Sequence, residues 1–417
     1  MSNQEDILII GGGVIGVCTA YYLARQGQPV TLVEKDDLCA GSSYGNAGWI
    51  ANGHAIPIPA PGVLTQGLKW LLDAGSPFYI KPRLDLDLLR WLWQFQAACN
   101  QTQMVRAIPV LLALNQTSLE LFEQLVAEEN LKFGYERPGL LHLFKNQDQF
   151  KQGVEEAALL RKFGVETVML DSAGIRQMEP NVSPSVTNGI YYPNYAHMIP
   201  DRFVRELARL AERRGACIKI GTEVLGFETS GRRISAVATT RGRFEPEQVV
   251  LATGAWSPDV ARSLKLRLPI QPAKGYSLTF KRPPTSPSLP LSLPEYKVAV
   301  TPMGEQLRLS STLELAGLDP AINQRRLAAI RQAAYEYLLA AGKLELIEIW
   351  RGFRPLTPDD LPIIGRSEAL ENLILATGHG MLGMTQGPIT GKLVSQIIAG
   401  EPPVIDLAPL RVERFSS

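Results

Sequence analysis

The chain is most constrained near its amino terminus, where Gly11, Gly13 and Gly16 form a Gly-x-Gly-x-x-Gly pattern directly after the apolar run 6–10. A short apolar run that ends in glycines reads as a buried strand. The stretch from about 14 to 26 then has helical periodicity, and 29–33 reads as a second strand. Strand, glycine turn, helix, strand is a βαβ unit, so this end of the chain is committed to a parallel sheet. Gly11 permits the tight turn and Gly16 allows the helix to pack closely. Gly13 lets backbone N–H groups at the helix start, those of Val14 and Ile15, approach a pyrophosphate. Glu34 closes the second strand 23 residues after Gly11, where its carboxylate can accept both hydroxyls of a ribose and repel a 2′-phosphate. Lys35 follows it into the same binding set. The unit as a whole predicts a dinucleotide site that disfavours NADP.

Three later segments favour FAD over NAD. Residues 40–48, Ala-Gly-Ser-Ser-Tyr-Gly-Asn-Ala-Gly, form a small-residue loop just after Glu34, where the longer body of a flavin needs further donors. Ser42, Ser43, Asn46, Ala47 and Gly48 are its candidates. The turn carrying Ala252, Thr253, Gly254 and Trp256 follows the buried run 248–252, as in flavoproteins with a two-dinucleotide-type fold, and Val224 joins it from the strand-like stretch 217–227. Residues 377–383, Thr-Gly-His-Gly-Met-Leu-Gly, make a glycine turn ahead of a helix predicted at 389–398. A helix N-terminus there suits the electron-rich N1–C2=O edge of a reduced flavin, with Gly378, Gly380, Met381, Leu382, Gly383 and the nearby Gly352 as contacts.

The rest of the chain predicts an α/β fold in which a Rossmann-like FAD-binding domain (1–60, 150–265 and 350–417) is interleaved with a mainly antiparallel-sheet, α+β substrate domain (61–149 and 266–349). Residues 61–165 read as mainly helical, with amphipathic segments at 108–130 and 148–163; a helix is expected at 201–214 and a strand at 217–227. A Pro- and Ser-rich loop, 283–294, separates strand-like runs at 274–281 and 296–301, and 373–376 is the final strand. At 417 residues the chain is long enough for two domains. Its 42 Lys and Arg against 41 Asp and Glu supply no field for nucleic acid, which leaves a small molecule as the expected partner. The four cysteines, Cys18, Cys39, Cys99 and Cys217, match neither a CxxC pair nor a metal knuckle, so no metal is expected and a reducing, cytoplasmic setting fits. The first apolar run follows Glu5 and Asp6 and is too short to span a bilayer, so neither a signal peptide nor a transmembrane helix is expected.

Together these blocks resemble the D-amino acid oxidase and glycine oxidase superfamily, and within it most closely the bacterial FAD-dependent D-amino acid dehydrogenases. The likeness runs through Asn46-Ala-Gly48, Pro59-Ala-Pro-Gly62 with Lys69-Trp70, Trp91-x-Trp93-Gln94, Tyr135-Glu, Gly139-x-Leu-x-Leu-Phe144, Lys274-Gly-Tyr-Ser-Leu-Thr279, Tyr296-Lys297, Arg354-Pro-x-Thr-Pro-Asp359 and Thr377-Gly-His-Gly380, essentially the whole chain. The resemblance implies oxidative deamination of an amino acid: hydride passes from Cα to flavin N5, giving an imino acid and then a 2-oxo acid and ammonia. It implies that Arg354 clamps the substrate carboxylate, a role to which a planar guanidinium is suited; the alternative is a structural ion pair with Asp359 or Asp360. Lys274 and Tyr276 would lie beside flavin and substrate or be solvated strand-end residues. His379 would be a base, a flavin partner or a structural turn residue. Positioning by the carboxylate clamp requires no dedicated general base.

Departures from the family pattern are the apolar Ile199 in the turn before the 201–214 helix, His54 where such dehydrogenases can carry Tyr, and Gly45 where covalent flavoproteins carry the linking His. The last implies noncovalent FAD. Within the class, a proline or hydroxyproline dehydrogenase and a glycine/sarcosine-type oxidase share these features. From a different class, an electron-transfer or tRNA-modifying flavoprotein subunit is possible, and charge neutrality argues against its tRNA form. The residues are compatible with either enantiomer and with O2 or a quinone as acceptor. Trp70, Phe78, Tyr79, Trp91, Trp93 and Phe95, rimmed by Lys69, Lys81, Arg83 and Arg90, either pack a helical insertion or rest on an anionic membrane surface where a quinone is reached.

Overall fold

The computed structural model describes residues 3–63 and 78–415. Its first sheet has eight strands and is built outward from Asn3–Ile10, which pairs in parallel with Val30–Val33 on one side and with Gly242–Leu251 on the other. Cys217–Lys219 extends it in parallel beyond Val30–Val33, and Leu373–Thr377 pairs in parallel with Gly242–Leu251. Val224–Ser230, Arg233–Thr239 and Ile363–Arg366 are antiparallel additions. Leu8, Ile9 and Ile10 are all buried, as expected of a strand covered on both faces. Helices Val14–Arg25, Pro200–Arg213 and Gly383–Ala399 pack together over one face and share one core with Gln101–Glu129.

The second sheet has nine strands. Its order is Glu345–Leu356, Gln271–Lys281, Gln306–Leu315, Val298–Met303, Leu291–Leu293, Leu140–Phe144, Asn188–Tyr192 and Val168–Asp171, with Phe78–Ile80 pairing to Gln306–Leu315. All its ladders are antiparallel except Leu291–Leu293 with Leu140–Phe144 and Phe78–Ile80 with Gln306–Leu315. Helix Gln324–Tyr337 packs its buried Leu327, Ile330 and Ala334 on one face. The α/β class with a largely antiparallel second sheet is therefore the one the sequence predicts.

Several elements differ from expectation. The stretch 61–165 is not uniformly helical: between its helices lie the strands Phe78–Ile80 and Leu140–Phe144. The single strand expected at 217–227 is two, because Gly221 turns the chain at φ 60 and sends Cys217–Lys219 and Val224–Ser230 to opposite edges of the first sheet. The last helix starts at Gly383, six positions before 389, and runs through Pro388, which costs one backbone hydrogen bond without ending it. Strands Gln306–Leu315 and Glu345–Leu356, with the helix between them, fill a region for which the sequence offered no elements. Among the described residues no helix is long and apolar enough to cross a membrane.

Candidate active site

Between the two sheets lies a cavity of about 1140 Å³, above the roughly 300–1,000 Å³ of an ordinary small-ligand pocket. Its floor begins at the first glycine turn. Gly11 has φ 115, a conformation an L side chain resists, and a Cβ there would lie 2.5 Å from the Ala252 carbonyl oxygen. A Cβ on Gly16 would overlap the Gly11 carbonyl oxygen, so helix and turn meet backbone to backbone. Glu34 has a structural task besides the expected one: its Oε2 accepts from Gly12 N at 2.6 Å and its Oε1 from Asp36 N at 3.0 Å. Each oxygen keeps acceptor capacity toward the cavity.

The helix behind the turn has no side-chain cap at Gly13, and Val14 N donates to Ser43 Oγ at 3.0 Å. The second helix N-terminus, at Leu382, likewise lacks a side-chain cap. Uncapped helix starts carry unsatisfied N–H groups and partial positive charge. Two of them at one cavity that Glu34 also lines fit the pyrophosphate, flavin edge and ribose of FAD. Arg308, which sequence reasoning missed, pins the intervening loop: buried at 3 % exposure, it donates to the carbonyls of Tyr44 (2.7 Å) and Asn46 (3.2 Å) and to Thr279 Oγ1 (3.2 Å). Trp350, also missed, fills the space against Gly45 and Gly352, so any Cβ at either glycine would overlap its ring.

Arg354 sits on Glu345–Leu356 and reaches across the neighbouring strand. A Cβ on Gly275 would overlap its guanidinium, and its Nη1 donates to the Thr312 carbonyl at 2.7 Å. The carboxylates that could have held it structurally are engaged elsewhere. Asp359 binds Arg414 at 2.7 and 3.1 Å, and Asp360 accepts from Ile58 N at 2.9 Å. Burial lowers the Arg354 pKa to about 10, which leaves it cationic at neutral pH. Thr312 is held at φ 71, an unfavourable conformation for a β-branched residue. Its Oγ1 and the Ser310 Oγ are buried without hydrogen-bond partners among the described residues, and both residues line the cavity. A cation with donors to spare, beside hydroxyls that lack partners, is an arrangement that can accept a small carboxylate.

Of the other expected site residues, Val14, Ile15, Lys35, Ser42, Asn46, Ala47, Val224, Ala252, Thr253, Gly254, Trp256, Gly380, Met381 and Gly383 line the cavity, whereas Gly16, Gly48 and Gly378 stand behind the lining. Lys274 and Tyr276 are corrected. Strand alternation turns Gly275 to the cavity and both flanking side chains to the reverse face of the sheet. There Lys274 Nζ donates to Ala321 O at 2.8 Å and lies 3.7 Å from both Glu314 and Asp319, and Tyr276 Oη accepts from Asn323 N at 3.2 Å. His379 lines the cavity, but its Nε2 is 2.9 Å from Thr390 Oγ1 and burial holds its pKa near 3. Weakly basic and tied to the last helix through Thr390, it fits an anchoring role better than that of a base. His54 opens onto the cavity. Lys274→Met is expected to lower unfolding free energy by about 1–3 kcal/mol by removing a buried hydrogen bond while leaving kcat/KM within twofold; a large fall in kcat with intact stability in denaturant titration would restore Lys274 to the site.

The aromatic stretch divides. Trp91 and Phe95 are buried, stack at 5.1 Å and join a core cluster, with Trp91 Nε1 donating to Leu356 O at 3.0 Å. Trp93 is 67 % exposed, alongside the exposed Leu84, Leu86 and Leu89. Of the basic rim, Lys81 pairs with Asp319, Arg83 with Asp85 and Arg90 with Asp87. Lys69 and Trp70 lie outside the described residues, and of Phe78 only the backbone is described.

A family model described as FAD dependent oxidoreductase matches residues 6–397. A D-amino acid dehydrogenase of Granulibacter bethesdensis is 34% identical over 418 residues, covering 98% of this chain and 99% of the relative. A protein of the same name from Vibrio vulnificus is 35% identical over 402 residues, 94% of this chain and 96% of its own. Among solved structures, glycine oxidase from Geobacillus kaustophilus superposes with a TM-score of 0.80 at 22% identity, covering 99% of both chains. L-proline dehydrogenase from P. horikoshii superposes with a TM-score of 0.77 at 21% identity, covering 100% of this chain and 99% of that one.

Proposed function

The chain belongs to the FAD dependent oxidoreductase family, and from that premise we propose that it carries out FAD-dependent oxidative deamination of an amino acid, with Arg354 as the carboxylate clamp. The observation that carries the clamp is the guanidinium held over Gly275 by the Thr312 carbonyl, with neither Asp359 nor Asp360 bound to it. Bound FAD supplies the two-electron acceptor. The chain's own residues orient the substrate: the Arg354 fork fixes the α-carboxylate, and Ser310 and Thr312 offer hydroxyls beside it. Holding Cα at a fixed distance and angle converts the encounter into a unimolecular step. Positioning by the clamp needs no dedicated base, so the amine would lose its proton before oxidation.

We assign the cofactor chiefly to the first sheet with its glycine turns, and the substrate chiefly to the face of the second sheet that carries Gly275, Ser310, Thr312 and Arg354. Noncovalent attachment is supported by Gly45, whose Cβ position is filled by the Trp350 ring. Purified protein is expected to be yellow and to release FAD into the supernatant on heat or acid denaturation; flavin that remains with the precipitate would remove the noncovalent assignment. The reaction is tested with D- and L-amino acids and an artificial dye acceptor, and turnover of none of them would sink it. For the physiological acceptor we favour a quinone reached at a membrane surface, supported by the exposed Leu84, Leu86, Leu89 and Trp93. Co-sedimentation with anionic vesicles, and turnover faster with a soluble quinone than with O2, are the expected results. Protein that stays in the supernatant and turns over rapidly on oxygen alone would make it an oxidase.

A further inference from the structure

The cavity has a second polar wall that carboxylate clamping does not use. His54, His142, Glu156 and Lys297 all line it. Ala299 pairs with Ser310 in an antiparallel ladder, so Lys297, two residues earlier, stands at the ladder's end opposite Thr312, whose carbonyl holds Arg354. Ser292 pairs with His142, which places His142 two strands further along the same sheet. With strands about 4.8 Å apart, Lys297 lies about one strand from Thr312 and His142 roughly 10 Å beyond it. Lys297 is therefore within reach of a side chain of glutamate length whose α-carboxylate sits at Arg354, and His142 stands behind it, further along the wall.

Lys297 is held at φ 52 at the close of a turn in which its N donates to Pro294 O at 3.2 Å. A non-glycine residue in that conformation stores strain of the kind found at functional sites. Its side chain is exposed to the cavity, and among the described residues its ammonium has no hydrogen-bond or ion-pair partner. The His142 ring packs at 4.7 Å on Tyr192. Burial, with the Lys297 charge adding to it, keeps His54 below its ordinary pKa; burial, then His54 and Lys297, hold His142 at about 3. His142 is therefore neutral and keeps one N–H donor, and His54 offers at least one in either protonation state. Glu156 is pushed up by burial and partly drawn back by Lys297. Donors outnumber the single carboxyl.

We propose that Lys297, backed along the same wall by His54, His142 and Glu156, forms the subsite for the substrate's side chain and selects amino acids whose side chain ends in a hydrogen-bond acceptor, a carboxylate above all. This rests on the reading that Arg354 takes the α-carboxylate. An aliphatic side chain would displace water from these groups and leave them without partners, which is how a hydrogen-bonding site rejects an apolar analogue.

The experiment compares kcat/KM of the FAD-loaded enzyme for the glutamate, glutamine and norleucine of whichever enantiomer is turned over. Glutamate is expected to exceed glutamine by about tenfold and norleucine by about a hundredfold. Lys297→Met, and Lys297→Gly, which also relaxes the backbone, should both bring the glutamate-to-glutamine ratio close to one. Norleucine used as well as glutamate, or a ratio unchanged in both variants, overturns the subsite. Binding of glutarate and pentanoate, read from perturbation of the flavin absorbance, gives an arm independent of turnover. Glutarate should bind tighter in the wild type and no tighter in the variants; equal binding in all three overturns the proposal. If no amino acid is oxidised at all, the deamination reading fails and this binding arm still decides the subsite.

Discussion

Arg354→Ala is expected to lower kcat/KM for the best amino-acid substrate by roughly 10²–10³-fold while leaving the FAD content unchanged. Truncating one partner of a desolvated, hydrogen-bonded charge pair costs about 2–5 kcal/mol, and each 1.4 kcal/mol is about a factor of ten. The guanidinium meets the cavity beside Thr312 and Ser310, whose hydroxyls are buried without partners, and the Lys297 ammonium in the same cavity is a point charge that cannot take the place of a planar fork. Arg354→Lys should recover only part of the loss, because a single ammonium cannot make the two parallel contacts of a guanidinium fork. Gly275→Ala serves as a second probe: its Cβ would overlap the guanidinium, so it should displace Arg354 without altering its charge. Steady-state kinetics alongside flavin absorbance check all three. Wild-type kinetics in Arg354→Ala would return Arg354 to a structural role.

Gly16→Val is expected to abolish FAD loading altogether. Its Cβ would overlap the Gly11 carbonyl oxygen, and Gly11 is itself pressed against the Ala252 carbonyl at φ 115, so neither side of the contact can yield. Backbone cannot rotate away as a flexible side chain can, and the penalty belongs with the rare substitutions that exceed about 4 kcal/mol. Colourless or insoluble protein, measured by the ratio of flavin to protein absorbance with circular dichroism to follow folding, is the expected outcome. Soluble protein with a full complement of flavin would show that the turn is looser than the structure has it.

Legibility in the sequence follows from how local the physics is. The glycine turn, Glu34 and the helix behind it could be read because a positive φ, a close backbone approach and a helix start each leave a mark within a few residues of one another. The two readings open for Lys274 and Tyr276, beside the flavin or solvated at a strand end, could not be resolved locally because alternation along a strand has two phases; only pairing with Glu345–Leu356 and Gln306–Leu315 decides that Gly275 faces inward. The Gly between them was the available signal, since a strand glycine marks a close approach by another group. The start of the last helix was missed because Pro388 reads as a boundary, although burial on all sides keeps the helix intact across it. Arg308 and Trp350 left no local mark: each acts on a loop some 260–310 positions away in the chain.

The sequence by itself determined the βαβ unit and the dinucleotide site at its glycine turn, since both rest on backbone conformation and side-chain chemistry specified by neighbouring residues; Arg354 was singled out by the family resemblance. The tertiary structure alone decided which face of each strand meets the cavity and which carboxylates Arg354 does not bind. It also brought Lys297, His142, Glu156 and His54, from four separate segments, to one wall. Those outcomes depend on strand pairing and packing between residues far apart in the chain, and no local pattern encodes a contact whose partner is specified only when two sheets close on each other.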